Sequence, residues 1–260
     1  MTEKEPMIVI EGPDGAGKTS MCKTITNIVK NVYDKDCITI NFPNQEGFAY
    51  FTIKNILTGK MKVPVDFLQT LMMLNMKDTF KRKNIRQIRT NGTVVLLDRF
   101  FISSIVYNTM EDGCLLDSIY KHLRKGKDKE DDDKRIDLKD VYCNYLGFNE
   151  FEVPSDTLYL LPHLRSLQKH AQARSITNTG DKETYDDINS VNKEYALYGN
   201  FYLSIRDKLR FNKQYYIKDT SDSNHIILKP NTKAYTNDQL TYKEINTSLQ
   251  KWVNRIFRKK

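Results

Sequence analysis

Residues 12–19 read Gly12-Pro13-Asp14-Gly15-Ala16-Gly17-Lys18-Thr19, a full match to the phosphate-binding pattern G-x-x-x-x-G-K-[ST]. Glycines in such a loop let backbone N–H groups turn inward around phosphate oxygens, and the helix that follows adds a favourable field for an anion. Gly12, Gly15, Ala16, Gly17, Lys18, Thr19 and Ser20 are therefore the expected contacts to a nucleotide's phosphates. Lys18 reaches for the β- and γ-phosphates, and the Thr19 hydroxyl is offered to Mg²⁺. Such a loop needs a strand before it and a helix after it. The apolar run Met7-Ile8-Val9-Ile10 supplies the strand, and Met21, Ile25, Ile28, Val29 and Val32 recur at helical spacing.

A second constellation follows a later apolar run. Thr93 to Leu97 leads into Asp98-Arg99, and in parallel α/β sheets ligands gather at the carboxyl ends of strands. A carboxylate there orients Mg²⁺ directly or through water, while the adjacent guanidinium clamps phosphate oxygens in a bidentate fork. An isolated Asp-Arg reads equally well as a helix-capping aspartate beside an exposed arginine. Next to a complete phosphate loop, the ligand-binding reading is favoured.

The elements that must hold these groups are legible as periodicity. Short β-rich runs recur between helical stretches at Ile8 to Glu11, Cys37 to Phe42, Thr93 to Asp98, Thr157 to Leu161 and Gln214 to Lys218. Strands alternating with helices predict an α/β fold, a five-stranded parallel sheet with helices on both faces. One long helix is predicted from Val65 to Thr90, stopped by Asn91-Gly92. A last helix opens on the capping-box pattern Thr241-Tyr242-Lys243-Glu244 and buries Ile245, Leu249, Trp252, Val253 and Ile256.

A length of 260 residues suits a single α/β domain spanning 1–260. Two segments read as insertions. Residues 110–153 hold a charge run from Arg124 to Asp140 with seven basic and seven acidic side chains, too polar for a core, although Val141-Tyr142 and Tyr145-Leu146 can dock a short helix. Residues 219–238 are rich in Asn, Asp and Ser around Ile226-Ile227-Leu228.

The net charge of +8 does not form a stripe. The basic C-terminal cluster of Lys251, Arg255, Arg258, Lys259 and Lys260 shares its helix with an apolar face, and no nucleic-acid reader motif is present. Small anionic ligands are the expected partners, with nucleic acid disfavoured. No apolar run approaches the roughly 18 residues of a membrane span, and the polar Met1 to Glu5 stretch lacks a secretory core, so no membrane association is expected. Cys22, Cys37, Cys114 and Cys143 are scattered without a C-x-x-C pair, and reduced packing thiols fit best. The expected compartment is the cytoplasm, that of a host if the Lys-, Asn-, Tyr- and Asp-rich composition reflects a viral source.

The ordered set Glu11 to Thr19, Phe42-Pro43 after the second strand, Asp98-Arg99-Phe100 with Ser103 and Tyr107, and Pro154-Ser155-Asp156-Thr157-Leu158-Tyr159-Leu160 resembles thymidylate kinase. The resemblance covers most of the chain outside the two insertions. It implies a P-loop kinase fold and transfer of the γ-phosphoryl group of ATP to a deoxynucleoside monophosphate, dTMP foremost, with Mg²⁺. Carried over by position, Lys18 and Thr19 serve ATP and Mg²⁺, and Asp98 joins Thr19 at the metal. Asp14 approaches the acceptor's 3′-hydroxyl, Arg99 bridges donor and acceptor phosphates, and Tyr107 packs under the sugar where a 2′-hydroxyl would clash. Phe42, Pro43, Gln45 and Ser104 border the acceptor. Residues 163–187 resemble the family's lid, and Lys169 and Arg174 are its candidate cations, because Gly15 stands where some members carry arginine. The family also implies a homodimer. The chemistry is consistent, since phosphoryl transfer needs in-line positioning and positive charge more than covalent help.

The sequence departs from that family at the acceptor. Phe42-Pro43 is followed by Asn44-Gln45, where an arginine commonly holds the acceptor phosphate. Met72 and Met76 align with the aromatic that stacks on thymine and the arginine that bonds it. Thioethers pack against a base but supply no guanidinium fork, so Phe67, Lys77 and Arg82 stand as alternatives for those roles. The lid reads Glu183-Thr184-Tyr185-Asp186, with Thr184 in an arginine's place. Two rival readings remain. One is a deoxynucleoside kinase, which needs a carboxylate base after the second strand, where Glu46 is the nearby acid. The other is a nucleotide-binding protein that has lost catalysis.

Overall fold

The structure, a computed structural model, describes residues 4–112, 136–137, 142–143, 146–149, 151–161, 164, 167–169, 171–172, 188–210, 214–218 and 242–258. The insertion 219–238 lies wholly outside the described residues, as do most of 110–153 and of 163–187.

Met7–Glu11 (β1) and Val94–Asp98 (β3) are buried along their whole length, as central strands of a sheet covered on both faces must be. Cys37–Asn41 (β2), Asp156–Leu161 (β5) and Gln214–Lys218 (β7) complete a five-stranded sheet of order β2-β3-β1-β5-β7, and every pairing is parallel. Ile136–Asp137 (β4) and Leu209–Arg210 (β6) pair separately, tying part of the 110–153 segment to the end of a later helix. Three described residues at the tail of that segment are not solvated: Tyr142, Leu146 and Phe148 are buried in the main core, with Tyr142 and Phe148 packed on the Phe100 ring. Among the described residues no helix is long and apolar enough to cross a membrane.

The helices are Lys18–Tyr33 (α1), Tyr50–Leu57 (α2), Val65–Arg82 (α3), Ile85–Thr90 (α4), Phe101–Asp112 (α5), Ile188–Lys208 (α6) and Tyr242–Phe257 (α7). On α1, Cys22, Ile25 and Val29 face the sheet, whereas Val32, expected on the same stripe, is exposed. Leu249, Trp252 and Val253 bury α7 against the core, and Phe257 stacks on Tyr33 of α1.

The single helix expected over 65–90 is two. Asn84 adopts a left-handed conformation (φ 48°) and caps α4 by accepting from the Gln87 N–H, which breaks the rod after Arg82. The stop at Asn91-Gly92 stands, with Gly92 at φ 95°.

α3 also fixes the chain that leaves β2. The Asn75 side chain, fully buried, donates to the carbonyls of Asn44 and Phe48 (both 3.0 Å) and accepts from the Asn44 N–H (2.7 Å). Gly47 is required there, since a Cβ would lie 2.4 Å from the Asn75 amide. This clasp sets where Phe42-Pro43, joined by a cis peptide, hands over to α2. Asn75→Ala removes three hydrogen bonds between this buried side chain and the loop, and should lower unfolding free energy by about 1–3 kcal/mol. Urea denaturation of the variant checks this, and an unchanged midpoint would mean that the loop is held by other contacts.

Candidate active site

β1 delivers its loop hard against β5: at Gly12 (φ 152°) a Cβ would meet the Leu160 carbonyl at 2.4 Å. Gly15 and Gly17 also take positive φ, and Gly17 precedes α1 without a side-chain cap. The first N–H groups of α1 thus have no capping side chain and face the position an anion would take. Lys18 folds back into the loop, donating to the carbonyls of Gly12 (3.0 Å) and Pro13 (2.8 Å). Burial, then the nearby Arg99 charge, pulls its ammonium down to about 8. Thr19 Oγ1 donates to Asp98 Oδ2 at 2.7 Å, joining a hydroxyl from α1 to a carboxylate from the end of β3. Two hard oxygens side by side suit Mg²⁺, which keeps much of its shell for water and phosphate.

Arg99 follows β3 in the left-handed region (φ 69°), a conformation that costs a non-glycine residue about 1–2 kcal/mol. It ion-pairs with Asp14, donates to the Gly12 carbonyl (3.2 Å), Ser103 Oγ (3.1 Å) and Tyr198 Oη (3.3 Å), and lies over the Tyr107 ring. Burial opposes its charge, but Asp14 and the other acidic neighbours more than offset this, so the guanidinium stays protonated.

Two buried carboxylates that the sequence reading missed brace this pair. Glu11, at the end of β1, accepts from the Phe100 N–H (2.9 Å) and from Ser103 Oγ. Ser103 and Tyr198 of α6 are 2.8 Å apart. Glu194, also on α6, accepts from the Asp14 N–H (3.1 Å) and from the Tyr107 hydroxyl (2.6 Å), while its Oε2 has no hydrogen-bond partner among the described residues. Burial raises both carboxyls above their ordinary 4.5, and the Asp14 charge pushes Glu194 further. The available sequence signal for Glu194 and Tyr198 was their i, i+4 spacing on one helix face.

Two cavities open onto these residues. One of about 560 Å³ runs along the phosphate loop past Lys18, Thr19, Ser20 and Asp98. The other, of about 310 Å³, lies between Phe42-Pro43, α2, Met72 of α3 and Ser103 and Tyr107 of α5. Asp14, Phe42 and Arg99 line both.

The cavity walls do not include every expected residue. Met76 is buried in the core at 1 % exposure and does not line the acceptor-side cavity, in contrast to Met72 one turn earlier. Ser104 is buried and donates to Gln69 Oε1 (2.6 Å), and Gln45 is exposed; neither lines either of these two cavities. Lys169 is exposed and lines neither cavity, and Arg174 lies outside the described residues. Of the alternatives, Phe67 is exposed, Lys77 sits over Phe148 and Arg82 pairs with Asp78. Glu46 pairs with Lys83 at 3.1 Å and borders neither cavity. Tyr50, Lys54 and Leu57 of α2, which sequence reasoning did not single out, do line the smaller one.

Residues 10–132 match the thymidylate kinase family model. The chain is 36% identical over 106 residues to thymidylate kinase of Buchnera aphidicola subsp. Baizongia pistaciae, a match covering 40% of this chain and 50% of that protein. It is 29% identical over 128 residues to thymidylate kinase of Leptospira borgpetersenii, covering 47% and 58% respectively. The chain thus spans about half the length of the curated relatives it matches. Its fold is shared with the solved thymidylate kinase from Candida albicans, with a TM-score of 0.56 at 16% identity over 97% of this chain and 92% of that one.

The raised Glu194 carboxyl has a measurable consequence. The native state holds that proton to higher pH than the unfolded chain, so its contribution to stability is full below 4.5 and is lost as pH rises through the native value. Glu194→Gln keeps an acceptor for Asp14 and Tyr107 but cannot titrate. Its melting temperature should therefore gain on that of the parent as pH rises from about 4.5. A difference independent of pH would mean that Glu194 titrates normally.

Proposed function

We propose that the chain transfers the γ-phosphoryl group of ATP to the phosphate of a deoxynucleoside monophosphate, dTMP foremost, giving the diphosphate. The observation carrying this reading is that a cavity along the phosphate loop and an acceptor-sized cavity share Asp14, Phe42 and Arg99 as a common wall. Donor phosphates in the first lie against Lys18 and the start of α1, and an acceptor phosphate in the second lies near Arg99. Mg²⁺ held by Thr19 and Asp98 would neutralise charge on the donor's β- and γ-phosphates.

The acceptor oxygen forms the new P–O bond as the bond from the γ-phosphorus to the bridging oxygen of ADP breaks. A phosphate monoester already carries about −1.5 to −2 charge at neutral pH, so its oxygen needs no general base. That matches a site whose nearest carboxylate, Asp14, is engaged by Arg99 instead of standing free. It disfavours the deoxynucleoside kinase reading, as does the outward pairing of Glu46. Lys18 gives up its two carbonyl contacts for phosphate oxygens, and Arg99 sits at the common wall to hold charge as it develops between the two nucleotides. Asp14 and Tyr107 take the sugar. Residues 163–187, with Lys169 and Arg174, are read as a lid on the family resemblance.

Base recognition rests on Met72 and Leu57, a flexible and apolar pair. Such a wall discriminates by shape and little by hydrogen bonding, and the Candida albicans relative is itself described as having broad substrate specificity. A homodimer belongs to the same reading, supported by Phe51, Phe67 and Leu74, which are exposed on α2 and α3. Buried free thiols at Cys22 and Cys37 fit a reducing compartment, and we assign the reaction to the cytoplasm.

The test is a panel of dTMP, dUMP, the ribonucleotide UMP and thymidine with Mg·ATP, following ADP release. The reading expects turnover of dTMP, dUMP within about a hundredfold in kcat/KM, and none of thymidine. Turnover of thymidine without dTMP would install the deoxynucleoside kinase, and ATP binding without any turnover would install the protein that has lost catalysis.

A further inference from the structure

The acceptor-side cavity contains a cation that no motif announced. Tyr50, Lys54 and Leu57 recur at i, i+4 and i+7 along α2, so one face of that short helix lines the cavity. Lys54 and Arg99 are the basic residues in its wall. Arg99 is already committed, paired with Asp14 and donating to Gly12, Ser103 and Tyr198. The Arg99–Asp14 pair is close to neutral, which leaves a doubly charged phosphate without full compensation. Lys54 is exposed and has no ion-pair partner among the described residues. Downstream of Phe42-Pro43, Asn44 and Gln45 offer no charge, and Gln45 does not border the cavity.

We propose that Lys54 receives the acceptor's phosphate, supplying from α2 the positive charge absent from the loop after β2. A lysine suits this position because its flexible four-carbon stem delivers a point charge without demanding the planar fork of an arginine. The Asn75 clasp on the loop before α2 then serves the site as well as the fold, because it fixes where the helix begins. The proposal rests on the monophosphate-kinase reading, and its test separates the two.

Calorimetric binding of dTMP and of thymidine to the full chain isolates the phosphate's contribution, because the two ligands differ only in that group. In Lys54→Gln the ratio of dTMP to thymidine affinity should fall about tenfold or more, the usual range for losing a hydrogen bond to a charged group. Thymidine affinity should be unchanged, Lys54→Arg should keep the ratio, and steady-state kinetics should show KM for dTMP raised with KM for ATP unmoved. A ratio that survives in Lys54→Gln, or equal weakening of both ligands, overturns the role of Lys54 while leaving the acceptor reading intact. A parent protein that does not prefer dTMP to thymidine overturns both.

Discussion

The ion pair between Arg99 and Asp14 is the constraint on which the rest of the site depends. Asp14 belongs to the loop after β1 and Arg99 to the turn after β3, and β1 and β3 are adjacent strands whose chains then depart in opposite directions. That is where a doubly wound sheet opens a crevice at its carboxyl edge. The left-handed backbone of Arg99 sends its side chain back across the crevice, and strain of this kind persists only where surroundings over-determine it. Here they do. Ser103, Tyr198 and the Gly12 carbonyl all accept from Arg99 Nη1, and Glu11 in turn accepts from Ser103.

Around that pair the site is self-neutralising. Lys18, Arg99, Asp14, Glu194 and Glu11 are drawn from β1 with its loop, the start of α1, the end of β3 and α6, and each sits against an opposite charge or a hydrogen-bond partner. Desolvation raises the two buried glutamates and lowers Lys18, while the Gly12 and Pro13 carbonyls and Asp14 already engage the Lys18 ammonium. An arriving phosphate therefore exchanges partners with Lys18 instead of filling a bare positive hole. Such exchange favours electrostatic stabilisation that is already oriented when the ligand arrives.

Local pattern made the frame legible. The strand limits agree to about a residue; the central strands β1 and β3, buried along their whole length, leave continuous apolar runs, and the phosphate loop is a contiguous motif. What escaped is non-local or depends on depth. Glu194 and Tyr198 meet Asp14 and Arg99 across 180 and 99 residues of chain, which no window on the sequence spans. Met72 and Met76 are a turn apart on one helix, as their spacing dictates, yet only Met72 reaches the cavity, since position along the axis decides burial as much as face does. Asn84 broke the predicted helix with a left-handed backbone that asparagine tolerates at little cost. α2 is short, was not anticipated, and carries Lys54 into the cavity.

The central claim is that phosphate groups of two nucleotides meet across the wall formed by Asp14 and Arg99, with Lys18 on the donor side. The most direct measurement follows label from ATP marked at its γ-phosphorus into dTDP in a single turnover, for the parent chain and for Lys18→Ala. The account predicts labelled dTDP from the parent and a rate lower by about a hundredfold or more in the variant, as for loss of one preorganised stabiliser. Absence of label in dTDP, or an equal rate in Lys18→Ala, would contradict it.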